Sequence, residues 1–157
     1  MATYTDSYGF QKGSAAPLAR GLNKTSRIEV TLDFPKIIAA RLAAGATALA
    51  AADVLEVLPV PAKSIVSNVG MEVTTAAGVT STIAIGDGTA ATGYLAATSA
   101  NATGVSGGVP VLSAGAFAPT LSGGKLYTAA DTIDVTLGTA VPAAAVVRVF
   151  ATLTDVS

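Results

Sequence analysis

From Ser26 to Asp33 apolar and polar side chains alternate, with Ile28, Val30 and Leu32 on one side and Arg27, Glu29 and Thr31 on the other. A period of two sends successive side chains to opposite faces, so this segment reads as a half-buried strand. The period then changes. Asp33-Phe-Pro-Lys-Ile-Ile-Ala-Ala-Arg-Leu-Ala-Ala-Gly45 opens on a capping carboxylate, carries proline in its first turn and closes on glycine. That punctuation predicts one short helix over 34–44. Ala46 to Ala52 has no clear period and serves as a connection.

Strand grammar returns at Asp53 and persists. Val54 to Val60 is an apolar run in which Pro59 and Pro61 require an edge or an ending. After a turn at 61–64, Ile65 to Thr75 places Val69, Met71 and Val73 on one face. Thr80 to Ile85 ends in Gly86-Asp87-Gly88, a strong turn signal. Tyr94 to Ala97 reads as a short strand, and the Ser/Gly/Ala/Thr-rich stretch 98–124 as a long loop. Lys125 to Tyr127 and Thr132 to Leu137 alternate cleanly, with Ile133, Val135 and Leu137 inward. In Ala144 to Thr154, Ala145, Val147, Val149, Ala151 and Leu153 share one face. About eight short strands and one helix predict an all-β chain, an antiparallel β-sandwich of jelly-roll type spanning 26–157. Residues 1–25 are polar, punctuated by glycine and serine, and have no sustained apolar period. They read as an extended N-terminal arm.

Composition narrows the chemistry. The 157 residues include no Cys, His or Trp. Disulfides, zinc ribbons, thiol nucleophiles and Ser-His-Asp triads are therefore excluded. Ser122-Gly-Gly-Lys125 matches Ser-x-x-Lys, but two glycines outside a helix cannot set the geometry that such acyl-enzymes need. Gly86-Asp-Gly88 lacks the third glycine and following helix of a dinucleotide loop. Asp131 and Asp134, like Asp53 and Glu56, are spaced so that a strand sends them to opposite faces. Asp87 can meet Asp131 or Asp134 only through the fold, and no spacing demands a cation. No catalytic residue, cofactor or metal site is expected. Tyr94, Phe117, Tyr127 and Phe150 are read as core or seam residues rather than a sugar-stacking platform.

The formal net charge is −1, which argues against nucleic-acid binding. The distribution is uneven, however: residues 1–41 carry six bases against three acids, and the remainder three bases against seven acids. Three of the eight aromatic residues, Tyr4, Tyr8 and Phe10, also fall in the arm. Two readings stay open: these aromatics grip a partner surface, or the arm folds back on its own domain. Lys12, Arg20, Lys24 and Arg27 would steer an encounter with an acidic surface. Mean hydropathy is +0.60, yet the longest weakly polar stretch, Ile37 to Ala52, is mostly alanine and contains Arg41. It falls short of a span, so no membrane partner is expected. The first ten residues lack a signal-peptide layout, so cytoplasmic synthesis is expected. With 51% apolar residues but only 5% aromatic, the core is built from small side chains. Such a core buries less area per residue, and association is its natural supplement, which predicts a homo-oligomer.

Several stretches taken in order resemble a known family. They are Ala52-Asp-Val-Leu-Glu-Val-Leu-Pro-Val-Pro-Ala62, Val69-Gly-Met-Glu-Val-Thr-Thr-Ala76, Ile83-Ala-Ile-Gly-Asp-Gly-Thr89, Ala129-Ala-Asp-Thr-Ile-Asp-Val-Thr-Leu137 and Val147-Arg-Val-Phe-Ala-Thr-Leu-Thr-Asp155. Over residues 26–156 the chain resembles the head decoration, or cement, proteins of tailed bacteriophages. The resemblance implies a non-enzymatic virion protein, made in the host cytoplasm, that sits on the outer capsid surface as a homotrimer. It would stabilise the shell by bridging subunits of the major capsid protein, with Tyr4, Tyr8, Phe10, Lys12, Arg20, Lys24 and Arg27 as contact residues. The alternative of another class is a glycan- or receptor-binding module of a phage tail or fibre, with its site in the loop 98–124. Aromatic platforms at the surface would favour the latter.

Overall fold

The structure is a computed structural model and describes residues 3–4, 24–107 and 124–156. Among them the chain order is β1 (Thr3–Tyr4), β2 (Thr25–Asp33), α1 (Phe34–Ala43), β3 (Val54–Val60), β4 (Ser64–Thr75), β5 (Thr82–Gly86), β6 (Leu95–Ser99), β7 (Gly104–Gly107), β8 (Lys125–Tyr127), β9 (Asp131–Leu137) and β10 (Val146–Asp155). One sheet has the order β1-β3-β9-β5-β6 and the other β2-β10-β4-β7, with β8 also paired to β4. β1 runs parallel to β3; the other pairings are antiparallel.

From β2 to β5 the chain changes sheet at every step, and it changes again after β6, β8 and β9. The last strand, β10, therefore lies between β2 and β4 in the middle of its sheet, and β9 likewise lies between β3 and β5. Setting β1 aside, and letting β7 and β8 share one position along β4, eight strand positions remain in two four-stranded sheets. That is the connectivity of a jelly roll, as the strand count predicted.

The inward faces follow the alternation. Ile28, Val30 and Leu32 of β2, all five predicted residues at Ala145, Val147, Val149, Ala151 and Leu153, and Ile133, Val135 and Leu137 of β9 are buried. In β4 the inward set changes parity, from Val66 to Val69, Met71 and Val73. The pairing with β10 shifts register there, between Phe150 opposite Gly70 and Thr152 opposite Ser67. Asn68 absorbs the extra residue at φ 52, a left-handed conformation that asparagine tolerates. Pro59 costs no ladder bond, because among the described residues β3 meets β1 only at Val54 and Leu55 on that side.

Helix α1 has the predicted punctuation. The Asp33 side chain accepts from the Lys36 N–H at 3.2 Å, and the otherwise orphaned Phe34 N–H donates to the Ala145 carbonyl at 3.1 Å. At its end, the Gly45 N–H reaches the Leu42 carbonyl and the Ala46 N–H the Arg41 carbonyl, with Gly45 at φ 64. This is a Schellman ending, for which glycine is suited. Phe34 and Ile37 enter the core fully. The expected long loop over 98–124 is overturned in part: Thr98 and Ser99 finish β6, and β7 occupies Gly104–Gly107. β7 has no apolar alternation, and only backbone pairing with Gly70 to Val73 defines it.

Candidate interaction surface

Of the contact residues expected from the sequence, Tyr4 lies in β1, where its register partner is Leu55. Tyr8, Phe10, Lys12 and Arg20 lie outside the described residues. Lys24 is exposed, and its carbonyl accepts from the Asp155 N–H at 2.9 Å, tying the root of β2 to the end of β10. Arg27 projects from the outer face of β2. Its guanidinium lies 4.5 Å from the centre of the Phe150 ring and 3.5 Å from Glu29. Arg148 in turn stands between Glu29, at 3.8 Å, and Glu72, which it contacts directly. The outer face of this sheet is thus a ladder of alternating charge running from β2 over β10 to β4. Each exposed rung contributes under about 1 kcal/mol, but together they occupy Arg27 within the domain and cover Phe150. Among the described residues nothing pairs with the outer edge of β2.

Between the sheets lies a polar cluster that sequence reasoning did not assemble. Asp87 begins the turn after β5, where its Oδ1 accepts from the N–H groups of Thr89 at 2.9 Å and Ala90 at 3.0 Å. The turn closes tightly: a Cβ on Gly86 would fall on the Ala90 carbonyl oxygen, so only glycine fits. Lys125 and Tyr127, alternate residues of β8, reach Asp87 from the opposite sheet. Lys125 Nζ contacts Oδ2 directly, and the Tyr127 hydroxyl donates to the same oxygen at 2.5 Å. With its own proton committed, Tyr127 accepts from the Tyr94 hydroxyl at 2.7 Å. Burial alone would raise the Asp87 carboxyl, but the donors Lys125, Tyr127, Ala90 and Thr89 outweigh it and hold it below the usual range. Burial raises both phenols far above theirs. The only sequence signals were a turn aspartate and a lysine on a strand otherwise facing inward.

Asp134 is the opposite case. It sits across the ladder from Glu56 on β3 and Gly86 on β5, is 5% exposed, and accepts from the Thr132 hydroxyl at 2.7 Å. Burial pushes its carboxyl up to about 6, the Thr132 bond opposes this, and the charges of Glu56, Asp131 and Asp87 add to it. The fold therefore brings Asp87, Asp131 and Asp134 within electrostatic reach. Among the described residues, no three acidic side chains are arranged to hold a metal ion, and no helix is long and apolar enough to cross a membrane.

Two solved structures share this architecture. A chain of the cyanophage Pam1 capsid asymmetric unit aligns with a TM-score of 0.57 and 20% identity, over 90% of this chain and 92% of its own length. A chain of the capsid of Ralstonia phage GP4 aligns with a TM-score of 0.53 and 15% identity, over 99% of this chain and 97% of its own. This fold occurs in phage capsids. At such identities the likeness is one of architecture, not of individual contacts. No family model matches the chain, and no curated protein matches it.

Proposed function

We propose that the chain is a structural virion protein that binds the outer surface of a phage capsid. It acts as a homotrimer on the major capsid protein and stabilises the shell by bridging its subunits. The observation that carries this reading is the end-to-end match of the jelly roll to chains of two phage capsids. The chemistry agrees with a mechanical role. A trimer attached at several points makes separation of shell subunits cost several contacts at once, without any further chemistry at each one. The folded chain gains apparent stability from every contact that only the folded state can make.

The arm supplies the grip. Thr3 and Tyr4 pair with an edge of the jelly roll, and between them and Lys24 the sequence carries Tyr8, Phe10, Lys12 and Arg20 as anchors and steering charges. Lys24 stands at the root of this segment. Arg27, held by Glu29 and Phe150, orients the start of β2. A sugar-binding module on a tail or fibre has less support among the described residues, where Tyr94, Tyr127 and Phe150 are all buried; Phe117 lies outside them.

The test is binding of the full-length chain to capsids stripped of it. Replacing both Tyr8 and Phe10 by alanine removes two anchors and weakens binding by roughly tenfold or more, while the melting temperature of the free protein is unchanged. Binding as tight as that of the unsubstituted chain would contradict the role of the arm.

A further inference from the structure

The Lys125–Asp87 pair differs from the ion pairs of the outer face, because the groups around it match those that amide formation requires. The Asp87 side chain has no exposed surface and that of Lys125 only 20%. The amine is in direct contact with Oδ2. Two backbone N–H groups converge on Oδ1, as in an oxyanion hole. A phenol, backed by a second phenol, is bonded to Oδ2. We propose that Lys125 Nζ and Asp87 Cγ are joined by an intramolecular isopeptide bond that forms spontaneously once the two sheets have closed.

An ammonium and a carboxylate together contain the atoms of one amide and one water, so no other reactant is needed. One ammonium proton passes to Oδ2, an uphill transfer because the donors around Asp87 favour its carboxylate, and this frees the lone pair of Nζ. The nitrogen adds to Cγ, and the electron pair of the C=O bond moves onto Oδ1, where the Thr89 and Ala90 N–H groups stabilise it. The second proton passes from nitrogen to Oδ2, with which Nζ is already in contact and to which the Tyr127 hydroxyl is bonded. The Cγ–Oδ2 bond then breaks, the carbonyl at Oδ1 re-forms and water departs. Nothing is oxidised or reduced. In solution the same condensation is slow, because the amine is protonated and the carboxylate is a poor electrophile. Holding the partners in contact is equivalent to an effective concentration of about 10⁵ M or more, and burial limits the water available for reversal. The raised phenols keep their protons through neutral pH and remain donors.

The product would tie the β5–β6 turn of one sheet to β8 of the other, closing a 38-residue separation across the interior. The two sheets could then not part without breaking a covalent bond. This inference stands apart from the proposed function and applies equally to the free chain.

Mass spectrometry of the denatured full-length chain is the test, with Lys125→Arg as comparison. The expected result is a wild-type mass lower than the sequence by one water and a tryptic fragment from Ser64 to Arg148 that stays uncut at Lys125. The Lys125→Arg chain should have its full sequence mass and be cut at position 125. A wild-type chain at full sequence mass overturns the proposal. So does a chain lighter by one water that trypsin still cuts after Lys125, since that marks a succinimide at Asp87-Gly88. Neither readout depends on the variant folding.

Discussion

Asp87 and Asp134 show how environment, not residue type, decides what a carboxylate does. Both are buried and close in the fold, Asp134 in β9 lying opposite Gly86, the last residue of β5 and the one just before Asp87. Asp87 collects four donors and is held ionised. Asp134 has one hydroxyl and a ring of like charges, and its carboxyl rises to about 6. A carboxyl raised in the folded state makes its contribution to stability fully below its unfolded value of 3.8, and loses it as pH rises through about 6. Asp134→Asn removes the charge with little change of shape. It should leave stability near pH 4 almost unaltered and increase it above pH 7 by up to about 3 kcal/mol. Urea unfolding at both ends of this range checks the sign; parallel profiles for the two proteins would contradict it. The raised value and the partners that cause it were invisible in the sequence, because Glu56, Asp87 and Asp134 are brought together only by the order of β3, β9 and β5.

Among the elements, those whose instructions are local were legible. Helix α1 carries its cap, its proline and its stop within thirteen residues, and the structure uses all three. Asp33→Ala should therefore destabilise the protein, because the Lys36 N–H loses its acceptor, read as a lower melting temperature with an unchanged circular-dichroism spectrum. An unaltered melting temperature would show that tertiary contacts of Phe34 and Ile37 hold the helix without the cap. β10 was equally plain, since its four alternating inward residues, Val147, Val149, Ala151 and Leu153, leave one register that buries them all. β4 was readable only in halves. Its alternation breaks at Asn68, and a register shift against β10 is a property of the pair. β7 escaped altogether, because Gly104-Val-Ser-Gly107 has no buried face to alternate and exists as a strand only where β4 offers its edge. The Lys125–Asp87 contact was hidden for a similar reason, because Asp87 and Lys125 lie on opposite sheets and only their closure brings them together.

For the molecule as a whole, the small-residue core expected from composition is not what the sandwich has: of the alanines among the described residues only Ala77, Ala84, Ala100, Ala145 and Ala151 are buried. Its interior is lined mainly by valine, isoleucine and leucine, with Phe34 the one aromatic fully enclosed among the described residues. Jelly-roll connectivity threads β9 and β10 into the centres of the two sheets, so the last strands lock those laid down before them. The arm residues, for which composition left open a grip on a partner or a fold back on the same domain, remain the proposed grip. Electron cryomicroscopy of the particle that contains the chain tests the central claim most directly. The account predicts jelly-roll density in threefold groups on the outside of the shell, each group touching more than one major capsid subunit. Density confined to the tail, or single copies each resting on one shell subunit, would contradict it.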